Sequence, residues 1–225
     1  MKLASLISGG KDSVYASYFM SSLGNSVKYI VTVYPINPDS FMFHSINLSI
    51  VPIIADAMSA EHIIIYNRDE NKEIEELQTA LASLNIDGFV SGAIHSNYQW
   101  SRLNIISENI SKPLFSPLWR KSEVDVLREE IESGMSIYFS SVSADGLNPE
   151  LAGKKLDMAM YENLIKLNQK YGINICGEGG EYESVVLDAP FFSNKIEVIK
   201  SRKVIEPSRG FWIIDKIEYK NKVKI

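Results

Sequence analysis

Ser8-Gly9-Gly10-Lys11-Asp12-Ser13 joins two runs of different character, and the fold is read outward from it. Before it, Leu3-Ala-Ser-Leu-Ile7 is a short apolar run that stops at the glycine pair, the pattern of a buried strand. After it, Asp12 to Ser22 carries Val14, Tyr15, Tyr18 and Phe19 at helical spacing, with Gly24 as the stop. Val27 to Val33 is β-branched and apolar, a second strand ended by Pro35 and Pro38. Strand, tight turn, helix, strand opens a parallel βαβ unit. The glycines of the turn permit positive φ and let backbone N–H groups approach an anion closely. The following helix N-terminus offers unpaired donors and the positive end of its dipole. Ser8 and Ser13 add hydroxyls, Lys11 neutralises phosphate charge, and Asp12 can cap the helix or approach Mg²⁺.

The alternation continues downstream. Ile50 to Met58 reads as a helix, with Pro52 tolerable only in its first turn. His62 to Tyr66 reads as a strand, and Ile74, Leu77, Leu81 and Leu84 mark one face of a helix. Gly88 to Ser91 is the next strand and Tyr98 to Glu108 the next helix. This predicts an α/β fold: an open, mostly parallel sheet with helices on both faces. Beyond Pro113 and Pro117 the pattern changes. Glu123 to Glu132 reads as a helix and Ser136 to Val142 as a strand; Leu156, Met160, Leu164, Leu167 and Tyr171 line a long helix. Tyr182 to Leu187, Lys195 to Val204 and Phe211 to Tyr219 then read as strands. The expected organisation is a first domain over 1–120 and a smaller α+β lobe over 121–225, with a small-molecule cleft between them.

Composition narrows the classes. With 225 residues, 45% hydrophobic and 23% charged, the chain can bury a real core. A net charge of −5 argues against nonspecific nucleic-acid binding, so no stable nucleic-acid partner is expected. From Lys200 onward, however, eight basic residues face only Glu206, Asp215 and Glu218. Such a surplus suits an acidic partner or RNA, but solvated strands with lysines guarding an edge explain it more simply. The single cysteine, Cys176, excludes an intrachain disulfide or a Cys-based metal cluster. No apolar stretch reaches membrane-spanning length, and the run before Gly9 is too short for a signal peptide, so a cytoplasmic protein is expected. A homodimer is compatible with the sequence, which does not specify the oligomeric state.

Two further segments carry chemistry. Cys176-Gly-Glu178-Gly179-Gly180-Glu181-Tyr-Glu183-Ser184 lies between the long helix and an apolar strand. If the turn runs straight into that strand, Glu181 and Glu183 share a face, because side chains repeat every second residue. Such carboxylates could bind Mg²⁺, attract ammonium or take a proton from an amine; a solvated acidic hairpin is the plainer alternative. Gly92-Ala-Ile-His-Ser96-Asn-Tyr98-Gln99-Trp-Ser-Arg102 follows a strand end, where open α/β sheets bind ligands. Ser96, Tyr98 and Gln99 could read polar groups of a substrate, and Arg102 could pair with phosphate or carboxylate. His44, after the second strand, is a candidate neighbour of an adenosine, whereas nothing marks His62 as functional.

The turn at Ser8–Ser13 lacks the spacing of a P-loop and is similar to the PP-loop, Ser-Gly-Gly-x-Asp-Ser, of the ATP pyrophosphatases. Taken with Gly92-Ala-Ile-x-Ser96-x-Tyr98-Gln99 and Gly177-Glu-Gly-Gly-Glu-Tyr-Glu183, it resembles the diphthine–ammonia ligase (diphthamide synthetase) family. Pro117-Leu118-Trp119 and Met42-Phe43-His44 resemble that family too, while Trp100 stands where it usually has a basic residue. The resemblance implies a PP-loop/HUP-like fold and ATP with Mg²⁺ as cofactors. It also implies a reaction: amidation of diphthine on elongation factor 2 with ATP and ammonium, through an acyl-adenylate, releasing AMP and pyrophosphate. By that resemblance Ser8, Gly9, Gly10, Lys11, Asp12 and Ser13 bind ATP, with Lys11 and Asp12 in the chemistry and Asp12 near the metal. Glu178, Gly179, Gly180, Glu181 and Glu183 form the substrate and ammonium end, with Glu181 and Glu183 catalytic. Gly92, Ser96, Tyr98, Gln99 and Arg102 complete the substrate side. The rivals are another PP-loop adenylase, such as one that modifies tRNA, and a nucleotide-binding module without catalysis.

Overall fold

The apolar run ahead of the glycine pair becomes β1 (Lys2–Leu6), the middle strand of a five-stranded sheet. The computed structural model describes residues 1–34, 47–67, 69 and 72–222 and falls into two units, Met1–Trp119 and Arg120–Ile225. In the first unit the strands are β1, β2 (Ser26–Tyr34), β3 (Glu61–Tyr66), β4 (Gly88–Val90) and β5 (Leu114–Phe115). Their order is β3-β2-β1-β4-β5 and every pairing is parallel. The connecting helices are α1 (Lys11–Ser22), α2 (Val51–Ala57), α3 (Glu73–Ser83) and α4 (Asn97–Ile110). A short 3₁₀ turn, Leu48–Ile50, precedes α2, so Pro52 falls at the helix start, where its missing N–H costs nothing. The segment holding Pro35, Pro38 and Met42-Phe43-His44 lies outside the described residues.

Alternation along the strands divides the sheet between two helical layers. Ala4, Val31, Val33 and Phe89 pack against Leu77 and Leu81 of α3 and Leu103 and Ile106 of α4. Each large side chain buried there contributes roughly 1.5–3 kcal/mol relative to exposure. The opposite face turns to α1, whose small Ala16 and Ser17 are fully buried. There Ser5 Oγ meets Ser17 Oγ at 2.6 Å. Ser17 Oγ also donates to Ser13 O, as Ser21 does to Ser17 O, so Ser5 is the donor to Ser17. Because β2 and β3 lie to one side of β1 and β4 and β5 to the other, the loops after β1 and β4 leave the sheet side by side. That is the topological switch point of an open α/β sheet.

A polar chain underlies the first of these loops. Thr32 Oγ1 donates to the carbonyl of Ile7, the residue just before Ser8, at 2.9 Å. Its lone pairs therefore accept from His62 Nε2 at 2.9 Å, which fixes the proton on that nitrogen. His62 Nδ1 is buried with no hydrogen-bond partner, and burial lowers the imidazole pKa. The unfolded chain then binds a proton more readily than the folded one. Stability is fully present above the ordinary histidine pKa and is lost as pH falls toward the depressed folded value. Urea unfolding from about pH 7.5 to about pH 5 is expected to show this decline, and His62→Gln to reduce it; an identical slope in the variant would remove His62 as the cause.

The second unit is antiparallel. Its sheet, ordered β7-β6-β9-β8, uses β6 (Ser136–Val142), β7 (Tyr182–Asp188), β8 (Asn194–Ile205) and β9 (Gly210–Asn221). Two helices accompany it, α5 (Glu123–Glu132) and α6 (Met158–Tyr171). Ser122 caps α5 by accepting from Asp125 N, Asp157 caps α6 by accepting from Met160 N, and Gly172 ends α6 at φ +72°. Phe139 of β6 meets Tyr182 of β7 edge to face, ring centroids 4.9 Å apart. Up to Asn221 the basic stretch runs through the β8–β9 ribbon, and β8 is a sheet edge. Several of its charges are paired on the spot: Arg202 with Asp215, Lys216 with Glu218 and Lys220 with Glu197.

Candidate functional site

The turn after β1 has a geometry that suits an anion. Gly9 takes φ +88°, which L side chains rarely adopt, and Gly10 is the extended residue ahead of α1. The N-cap residue, Gly10, has no side chain with which to cap this helix, whose start carries the positive end of the helix dipole. Ser13 Oγ bonds the carbonyl of Gly10 at 3.0 Å, and Ser8 Oγ accepts weakly from Gly10 N at 3.5 Å. Lys11 is only 1% exposed, and its Nζ lies 2.5 Å from Asp12 Oδ1. A buried ammonium requires a partner, and Asp12 supplies one beside the helix N-terminus. Asp12 is the one acidic residue in that first turn and remains partly exposed. Among the described residues no group of three His, Cys, Asp or Glu could hold a metal ion.

The loop after β4 crosses this turn at van der Waals contact. A Cβ on Gly92 would lie 2.6 Å from Ser13 N and 2.7 Å from Asp12 C. Gly92 is thus needed because another backbone passes too close for any side chain. Ser91 Oγ accepts from Ala93 N, which shapes the exit from the strand. Ser96 caps α4, accepting from Gln99 N at 3.4 Å, so its hydroxyl is already engaged locally. Tyr98, 46% exposed, carries the Arg102 guanidinium over its ring at 3.4 Å from the centroid. Trp100 stacks on Trp119, centroids 5.1 Å apart and planes within 7°. His44 falls outside the described residues.

The glycine–glutamate turn belongs to the second unit and is held from inside. Strand β7 begins at Tyr182, so Glu181 stands one residue ahead of it. Glu181 Oε1 accepts the N–H of Asn174 at 2.9 Å, while Glu181 Oε2 is buried with no hydrogen-bond partner. Asn174 Oδ1 in turn accepts from Cys176 N at 2.9 Å and Glu178 N at 3.3 Å. Gly177 and Gly180 adopt φ +79° and +85°, and a Cβ at Gly177 would strike the carbonyl of Tyr182 at 2.6 Å. Ser143 ties the turn to the end of β6, its N–H bonding Glu181 O and its hydroxyl Gly180 O. Cys176 is buried, with Sγ donating to Glu123 O.

Comparison with known proteins settles the family. The model for the diphthamide synthase N-terminal domain matches residues 1–112, and that for its C-terminal domain matches residues 122–220. The chain belongs to the diphthamide synthase family. The diphthine–ammonia ligase of Homo sapiens is 33% identical over 235 residues, covering 94% of this chain and 88% of that protein. The Danio rerio enzyme of the same name is 34% identical, covering 94% and 91%. The Schizosaccharomyces pombe one is 32% identical but is covered over only 38% of its length. Among the described residues of this diphthamide synthase family member, no helix is long and apolar enough to cross a membrane.

Two contributors escaped the sequence reading: Asn174, a hub for the glutamate turn, and Glu123, which receives its amide. Trp119, read there only within a family-like segment, closes the aromatic stack. An asparagine two residues before a Cys-Gly step is the usual start of a side-chain-bonded turn, which is the one local signal for Asn174.

Proposed function

We propose that this chain amidates the carboxylate of diphthine on elongation factor 2, giving diphthamide, with ATP and ammonium consumed and AMP and pyrophosphate released. The observation that carries the reading is the cradle at Ser8–Ser13: a left-handed glycine, an uncapped helix start and a buried lysine within six residues. A relative's activity, diphthine–ammonia ligation, supports it through identity across most of the chain.

A carboxylate is a poor electrophile, so it must first gain a leaving group. One of its oxygens attacks the α-phosphorus of ATP, the bond to the bridging oxygen breaks, and pyrophosphate departs with that electron pair. Lys11, the first-turn N–H groups of α1 and the hydroxyls of Ser8 and Ser13 stabilise the charge gathering on it. Ammonia then adds its lone pair to the acyl carbon, the bond to AMP breaks, and nitrogen gives up a proton to leave the amide. In this reading Glu178, Glu181 and Glu183, with Gly179 and Gly180, receive the ammonium, and Glu181 or Glu183 accepts a proton from it. Gly92, Tyr98, Gln99 and Arg102 flank the substrate, and Ser96 acts by capping α4. The residues fit a magnesium ion of the kind held by one carboxylate, waters and the phosphates themselves, Asp12 being that carboxylate. Such an ion would supply charge neutralisation at the phosphates.

The test is direct. Elongation factor 2 carrying diphthine is incubated with the chain, ATP and ammonium, and its modified histidine is analysed by mass spectrometry. Conversion of carboxyl to amide, with one AMP and one pyrophosphate per amide, is the expected result. Pyrophosphate exchange supported by tRNA and not by the factor would identify a different adenylase. Nucleotide binding without turnover would leave a regulatory module.

A further inference from the structure

We infer that Asn174 is a positioning residue for the amide-forming half of the reaction, acting through Glu181 and the turn that carries it. The inference rests on the proposed function for its chemistry, but its geometry stands on its own. Asn174 uses nearly every polar group it has. Its main-chain N–H holds Glu181 Oε1, its Oδ1 takes the N–H groups of Cys176 and Glu178, and its Nδ2 donates to Glu123 Oε1 at 2.7 Å. Both acceptor bonds go to Oδ1 and the donor bond to a carboxylate, so the amide orientation is fixed by chemistry.

The consequence is a fixed carboxylate. With Oε1 occupied from one side and Gly179 under the group, where a Cβ would approach Glu181 Oε1 to 2.7 Å, Glu181 has one rotamer and one uncommitted oxygen. A carboxylate with a single unsatisfied, desolvated oxygen is suited to an N–H donor such as ammonium. Glu123 sits in the first turn of α5, so its carboxylate is steadied by the helix dipole and Asn174 is anchored to a rigid element 51 residues away in sequence. The side chain of Asn174 thus shapes the turn that carries the glutamates, its main-chain N–H holds Glu181 directly, and neither group need touch a substrate.

Substitution separates this from a general packing role. Asn174→Ala is expected to leave pyrophosphate exchange within about twofold of the parent, while amide formation at low ammonium falls roughly tenfold or more, mainly through a higher ammonium KM. Asn174→Asp sets two carboxylates against each other and is expected to behave similarly, with partial recovery at acid pH as the pair takes up one proton. Combining Asn174→Asp with Glu123→Gln restores a donor–acceptor pair in reversed polarity and is expected to recover most of the activity. Hydrogen exchange at the amides of Cys176 and Glu178, which needs no substrate, is expected to accelerate in Asn174→Ala. Unchanged exchange at those amides overturns the clamp itself, whatever the enzyme acts on. Equal losses in both half-reactions, or no rescue by the double variant, overturn the positioning role. If instead the parent chain shows no amidation at all, the proposed function fails, and the hydrogen-exchange result still judges the clamp.

Discussion

Replacing Lys11 with alanine is expected to bring ATP–pyrophosphate exchange to the background, a loss of about 10²- to 10³-fold. The size follows from where the lysine sits. Its ammonium is almost wholly removed from solvent and lies at the start of α1, where charge on a departing pyrophosphate would be met by little competing water. The substitution also strands Asp12, whose Oδ1 loses its 2.5 Å partner and now opposes an incoming phosphate. Lys11→Met separates charge from packing, since it keeps most of the apolar stem. It is expected to fold with nearly parental stability and yet exchange as poorly as alanine. Exchange retained in the methionine variant would mean that the charge is not used in the chemistry.

The second large effect is expected at Gly92. An added Cβ would sit 2.6 Å from Ser13 N and 2.7 Å from two other backbone atoms, none of which can swing aside as a side-chain tip would. Gly92→Ala must push the loop after β4 away from the first turn of α1 or displace that turn, at a cost of about 1–3 kcal/mol. The methyl group also covers the Ser13 N–H, one of the donors left over at a helix start. Nucleotide affinity should therefore fall along with stability, measurable by titration calorimetry and urea unfolding. Gly24→Ala makes the control. That glycine has φ +81° but nothing within 4 Å of its missing Cβ, so alanine there costs about 1–2 kcal/mol of backbone strain and should spare affinity. Matched affinity losses in the two variants would show that binding merely follows stability.

These cases mark what could be read in the chain before its structure. The first βαβ unit was legible because local rules agree: an apolar strand, a glycine pair and a helical period in unbroken succession. Gly92 was legible as part of a substrate-side segment, but its need to be glycine was not. That need arises from strand order, which puts β4 beside β1 although 81 residues separate Gly92 from Lys11 in the numbering. β5, two residues long, carries too few side chains to register as a period. The hold on Glu181 was not legible, because it stands one residue ahead of β7 and a backbone N–H seven residues back captures its carboxylate, which no local pattern announces. Lysines at a sheet edge were legible from charge alone, since β8 is an edge strand.

The serines of α1 have a consequence for how the nucleotide arrives. Ser17 Oγ donates to the main-chain carbonyl of Ser13 one turn back and accepts from Ser5 Oγ on the central strand, so a short row of hydrogen bonds runs from helix to strand. Sliding the helix along the sheet by even a fraction of a turn would break that row with no solvent to replace it. α1 therefore behaves as a keyed shaft, and the seat proposed for the phosphates would already be in register when a ligand reached it. Little ordering remains to be done there on binding, which favours fast capture of the phosphate tail over slow, fitted closure.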